Sequence, residues 1–373
     1  MWNILQGFVN KTSLDSTDYA KSSPVAVITP PKPFLIVSLD GGGVRGALQM
    51  RLLWRLCQRL PWLEQRIDMF AGTSAGALLA GGCAYRSLEQ ALPLASEDNY
   101  REVFHCSWRQ EAESADGWYA ARYSSEPLRR VLRRVVDPLV PVHACHKALL
   151  LTTFRVAPAS AGSLPPDAEM ASGGDSDDDN DKNEDDDQLF VEARCWRPEI
   201  VHNLDDSRRS GHCNDSLLET MIRSASAPTY FPVCDGCVDG GIVATNPCMF
   251  AATYALRFGK VDSLDQLLVL SIGTGTTTQN MSKYGDDASL GRAQWLPDIV
   301  DVLMQANTEG ATLQCHALLG EQRFRRLQVH LDKSVDLDDA SAVPYLLAAA
   351  DSVDLDPIVA WLERSAVCPA HRE

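Results

Sequence analysis

Two short apolar runs, Phe34–Leu39 (FLIVSL) and Met69–Ala71, each lead into a glycine-bearing turn and then into a helix-like stretch. Few architectures accept that pattern. A continuous apolar run bounded by Pro33 and Gly41 reads as a strand buried on both faces, and such strands belong to parallel sheets covered by helices. Between Ala47 and Leu60, Leu48, Leu52, Leu56 and Leu60 form the apolar stripe of a helix that Pro61 stops. Ser74–Tyr85 is a stretch of small residues suited to close helix–sheet packing. Ala148–Val156, Leu189–Ala193 and Leu267–Ile272 read as further strands, and Leu88–Val136 and Pro297–Ala317 as mainly helical. Strands alternating with helices give an α/β chain, a three-layer α/β/α sandwich around a mostly parallel sheet.

The remaining sequence bounds the organisation. At 373 residues, the chain can bury a large core without cross-links. Eleven cysteines, an odd number scattered along the chain, do not form a disulfide framework, and no secretory signal is visible. Reduced thiols and a cytoplasmic location follow as expectations. The net charge of −16 argues against nucleic acid as a partner. Most of that charge is local: eleven acids and one base lie between Asp167 and Asp187, leaving only −6 for the rest. Residues 157–188 hold almost no bulky apolar side chains and read as a disordered surface insertion between two strands. Residues 1–33 read as an N-terminal tail, and 34–373 as one domain. In the tail, Trp2, Ile4, Leu5 and Phe8 suit either packing on the body or peripheral contact with a membrane.

Three motifs carry chemistry. Asp40-Gly41-Gly42-Gly43-Val44-Arg45-Gly46 joins the first strand to a helix, and its exposed N–H groups would hold an anion, either a pyrophosphate or a transient oxyanion. The dinucleotide reading lacks its acid about 20 residues on; Glu64 falls just after Pro61. Gly72-Thr73-Ser74-Ala75-Gly76 is a G-x-S-x-G nucleophile elbow in the required strand–turn–helix setting. Taken alone, the lesser alternative is a Gly-rich packing turn. Asp239-Gly240-Gly241 lies far downstream, after the segment Ser224–Pro232. Cys234-Asp235-Gly236-Cys237 reads as two thiols across a hairpin turn rather than a redox or metal motif.

In this order the three motifs resemble the signature of the patatin-like phospholipases, the patatin-type acyl hydrolases. Ser224–Pro232 and Leu270–Gly275 add to the likeness, which spans about residues 34–275. One departure is visible: Ala244-Thr245-Asn246-Pro247 has Thr where the family often has a second Asn. The resemblance implies hydrolysis of fatty-acyl esters in phospholipids or related glycerolipids by a Ser–Asp dyad. Ser74 would be the nucleophile and Asp239 its base, with Gly42, Gly43 and Arg45 forming the oxyanion hole. No metal or cofactor is implied, and the acidic run lacks the Gly and closing Glu of a calcium loop. An ordinary aspartate is too acidic to take a serine proton efficiently, so burial should raise its pKa. Two alternatives stay open: a Ser–His–Asp esterase using His316 or His330, and a non-catalytic lipid or nucleotide binder that keeps the fold.

Overall fold

The computed structural model describes residues 32–115, 117–157, 196–205, 211–277, 289–291, 295 and 299–365. The expected tail helix, the acidic run and the Leu189–Ala193 strand lie outside the described residues.

Seven strands form one sheet among those residues: β1 (Phe34–Leu39), β2 (Met69–Gly72), β3 (Ala148–Arg155), β4 (Arg197–His202), β5 (Cys237–Asp239), β6 (Leu267–Ile272) and β7 (Phe324–Leu327). Their order is β4-β3-β2-β1-β6-β7, and β5 joins β3. The pairings β1–β2, β1–β6, β2–β3 and β6–β7 are parallel, whereas β3 pairs antiparallel with both β4 and β5. The sheet is therefore mostly parallel, with one mixed end.

The principal helices are α1 (Gly46–Arg59), α2 (Ala75–Tyr85), α3 (Ser125–Arg133), α4 (Leu217–Ser224), α5 (Gly241–Ala244), α6 (Cys248–Arg257), α7 (Ile299–Arg323), α8 (Val343–Ser352) and α9 (Asp356–Ser365). They cover both faces of the sheet. Leu35, Val37 and Leu39 of β1 enter a core with α1, α2, α3, α4, α8 and α9, while Ile36 enters a second core with α6 and α7. Strand alternation sends neighbouring side chains to opposite faces, so a strand in this position must be apolar throughout. That is why β1 and β6 carry unbroken apolar runs. The stretch Leu88–Val136 is a series of short helices rather than one long one. Helix α7 runs past the expected end at Ala317 and kinks at Gly320, whose φ is 65°.

Candidate active site

The elbow is built by close approach of backbone to backbone. Ser74 sits between β2 and α2 with φ 55° and ψ −125°, a conformation costly for a residue with a side chain. A Cβ on Gly76 would stand 2.2 Å from the Leu39 carbonyl oxygen, and one on Gly72 2.3 Å from the Gly76 oxygen, so neither position accepts a side chain. Surrounding hydrogen bonds hold the strain. The Ser74 N–H donates to Ser224 Oγ at 3.0 Å, and the Ala77 and Leu78 N–H groups donate to the Ser74 carbonyl. Thr73 Oγ1 donates to the Ala244 carbonyl at 2.6 Å, which makes Thr152 Oγ1 the donor in the 2.7 Å contact between the two threonines. Buried Ser224 and Thr73 thus fix the turn without entering any of the sequence motifs as functional residues.

Sheet topology brings Asp239 to this turn. One edge of β3 pairs with β4; the other is shared by β2, which ends with Gly72 opposite Leu151, and β5, which ends with Asp239 opposite Thr153. The two strands run toward each other along that edge, and their C-terminal ends meet. Asp239 is 5% exposed. Burial pushes its carboxyl up to about 6, against two hydrogen-bonding neighbours that favour the charged form, the Ser74 side chain and the Gly241 N–H. The latter donates to Oδ1 at 2.7 Å. The Asp239 N–H donates to the Ser226 carbonyl and the Gly240 N–H to the Ser224 carbonyl, so the segment Ser224–Ser226 holds both halves of the site.

The glycine loop lies alongside. Asp40 is buried and paired with Arg326 of β7, whose Nη1 donates to Oδ1 at 2.8 Å and to Ser271 Oγ at 2.7 Å. The Gly41 N–H donates to the Thr245 carbonyl at 2.9 Å and the Val44 N–H to the Leu337 carbonyl at 2.8 Å. Between them the N–H groups of Gly42 and Gly43 have no acceptor among the described residues. Gly43 has φ 56°, and a Cβ there would stand 2.1 Å from the Leu337 oxygen. Gly46 opens α1. Arg45 Nε donates to the Gly42 carbonyl at 3.3 Å; its terminal nitrogens have no hydrogen-bond partner among the described residues, and burial pulls its pKa down.

Two cavities of opposite character flank the loop. The first, about 50 Å³, is lined by Ser74 and Gly43 together with apolar groups including Leu78, Leu94, Phe104, Leu128 and Leu132. The second, about 150 Å³, is polar and lies on the Asp40–Arg45 side, with Thr274, Thr276, Asp301, Gln328 and Asp336 among its walls. Tyr230 and Leu337 line both. Tyr230 falls in a segment that the sequence motifs flag; Leu337 carries no sequence signal, because it reaches the loop only through tertiary packing.

The other candidate residues are placed elsewhere. His316 lies on α7 with its Nε2 3.9 Å from Glu321, and exposed His330 bridges Thr276. Neither acts on Asp239, whose influences are burial, Ser74 and Gly241. Cys234 and Cys237 face each other across a tight turn at Asp235 and Gly236, joined by two 2.9 Å backbone hydrogen bonds, as the spacing implies. Thr245, the departure from the family pattern, donates its hydroxyl to the Gly241 carbonyl and accepts the Gly41 N–H on its own carbonyl, tying the Asp239 turn to the glycine loop.

Comparison with known proteins places these features in a family. The sequence profile of the Patatin-like phospholipase family matches residues 37–252. The chain is 25% identical over 357 residues to Protein teg of Priestia megaterium, covering 89% of this chain and 98% of the relative. It is 23% identical over 298 residues to the cGAMP-activated phospholipase of Pseudomonas aeruginosa, covering 78% and 77%, respectively. It is 20% identical over 359 residues to Patatin-T5 of Solanum tuberosum, covering 86% and 83%. With the mostly parallel sheet and the two motif turns at its strand ends, the chain belongs to the patatin-like phospholipase family and is a carboxylic ester hydrolase of the lipid acyl hydrolase kind.

Proposed function

We propose that this protein cleaves fatty-acyl esters of phospholipids or related glycerolipids through a Ser74–Asp239 dyad and an acyl-enzyme. In this reading Asp239 takes the Ser74 hydroxyl proton as Oγ attacks the ester carbonyl. The oxyanion that forms lies against the Gly42 and Gly43 N–H groups, with the Arg45 charge nearby. Collapse expels the alcohol, which takes the proton back from Asp239. Water then gives a proton to Asp239 and its oxygen to the acyl carbon, Ser74 regains the proton, and the fatty acid leaves. The N-terminus of α2 points its positive end at the serine and lowers the cost of the negative charge. No metal is required by any of these steps.

The observation that carries the reading is a buried carboxyl, raised to about 6, beside a strained serine and two acceptor-free backbone N–H groups. A fluorophosphonate probe tests it. The wild type should be labelled once, at Ser74, and should release fatty acid from a mixed phospholipid extract. Ser74→Ala should abolish both label and release. Label at another residue, or release that survives Ser74→Ala, would end the proposal. We further propose that residues 34–373 act as one catalytic domain.

A further inference from the structure

The apolar cavity at Ser74 is where the acyl chain would lie, yet one of its side chains does not suit an alkyl chain. Tyr100, on the short helix Glu97–Val103, lines it and is 5% exposed. Its hydroxyl makes no hydrogen bond among the described residues, and burial is the one influence on its pKa, which it pushes up. Among those residues, the side-chain polar atoms that are both sealed off and without a partner are Gln49 Oε1 and Arg223 Nε. The Tyr100 hydroxyl is not one of them, so it keeps an open side, and the cavity is the space that Tyr100 lines. The turns of the site fix where it lies. A Cβ on Gly46, the last glycine of the loop, would stand 2.8 Å from the Tyr100 hydroxyl oxygen and 3.3 Å from the Cβ of Ala75, the residue after the nucleophile. The hydroxyl is therefore beside the two turns that would hold the ester. Tyr230 also lines the polar cavity; Tyr100 does not, and its neighbours on the wall are apolar groups such as Leu78, Leu94 and Phe104.

A saturated chain drawn into this cavity would cover the hydroxyl with CH₂ groups and leave it unpaired, which is costly for a buried polar group. An acyl chain with an oxygen of its own at that depth pairs it instead, and a site built in this way disfavours the analogue that lacks the oxygen. Resting on the acyl-hydrolase reading, we propose that the preferred acyl group carries a hydroxyl near its ester end, and that the Tyr100 hydroxyl hydrogen-bonds to it and so sets acyl specificity. A phenol both donates and accepts, so it meets an aliphatic hydroxyl in either sense. Beyond that contact the walls are apolar, and the remainder of the chain is hydrocarbon.

The test uses the full-length enzyme and soluble glycerol monoesters, so that binding to a bilayer plays no part. The acyl groups are hexanoyl and each enantiomer of 2-hydroxyhexanoyl and 3-hydroxyhexanoyl, compared by kcat/KM. The wild type should prefer at least one hydroxylated ester to the hexanoyl ester by about fivefold or more, the scale of one net hydrogen bond. Tyr100→Phe should cut that preference by a similar factor. The ratio within each protein cancels any general loss of turnover, and the ratio between proteins cancels the intrinsic reactivity of each ester. The variant loses an oxygen that bonds to no described residue, so it should melt no lower than the wild type. Absence of a preference of that size for every hydroxylated ester overturns the acyl assignment while the acyl-hydrolase reading stands. So does a preference that Tyr100→Phe leaves intact. Failure of the wild type to cleave any of the esters, monohexanoylglycerol included, overturns the acyl-hydrolase reading itself.

Discussion

Asp239 owes its raised pKa to burial, and the consequences for activity and stability have opposite signs. As a base it must be ionised, so kcat/KM on a soluble ester should fall about tenfold per pH unit below about 6 and level off above it. A profile flat down to pH 4 would exclude Asp239 as the base. For stability, a carboxyl raised in the folded state binds its proton more tightly there than in the unfolded chain. The burial penalty is therefore absent below the ordinary value of 3.8, grows as pH rises, and is complete above about 6. Asp239→Asn removes a cost on the order of 2–3 kcal/mol at pH 8. The variant should melt a few degrees higher than the wild type at pH 8, and that gain should shrink toward pH 4. It should also lose nearly all turnover, and a Ser74→Ala/Asp239→Asn double variant should be little worse than either single one. The sequence offered the residue and the need for a raised pKa. It could not show the burial, since that depends on what β3 and the Ser224–Ser226 segment place around the carboxyl.

At the scale of the element, the two turns differ in how much of their construction is local. The elbow was legible because its demands fall within five consecutive residues: Gly72 and Gly76 are small since the turn folds on itself and on the end of β1. Gly76→Ala puts a methyl against the Leu39 and Asp40 carbonyls, so it should cost about 3 kcal/mol or more in urea unfolding and suppress labelling by a fluorophosphonate. A fully stable, fully labelled Gly76→Ala protein would contradict this packing. The glycine loop is legible only in part. Its glycines are in the motif, but the pairing that anchors Asp40 comes from Arg326, on a strand at the far end of the chain. Arg326→Met strands a buried carboxylate and should cost about 3–5 kcal/mol; adding Asp40→Asn should recover part of that loss. Additive losses in the pair would mean the two side chains do not act as a unit.

At the scale of the whole molecule, the site exists because β2 and β5 share one edge of β3 from opposite directions. The same strand bears on the long connection between β3 and β4. Arg155 and Arg197 are in register across β3 and β4, so the ladder itself holds the two ends of the intervening chain together. Deleting residues 172–187, nine acids and Lys182, should leave the melting temperature within about 2 °C and short-ester turnover unchanged, because the deleted stretch has almost no bulky apolar side chains to pack. A large fall in either would show that the segment packs on the body. The sequence by itself determined strands β1, β2, β3 and β6, helices α1 and α2 after the first two of them, and the tight turns at the glycine loop and at Ser74. Those features depend on hydrogen bonding and steric fit among neighbours along the chain, which residue type and spacing report directly. Tertiary structure alone decided the meeting of Ser74 with Asp239, the Arg326 clamp on Asp40, and the division of the site by Tyr230 and Leu337 into an apolar and a polar cavity. Those rest on strand register and on burial by distant segments, and no local pattern of side chains encodes either one.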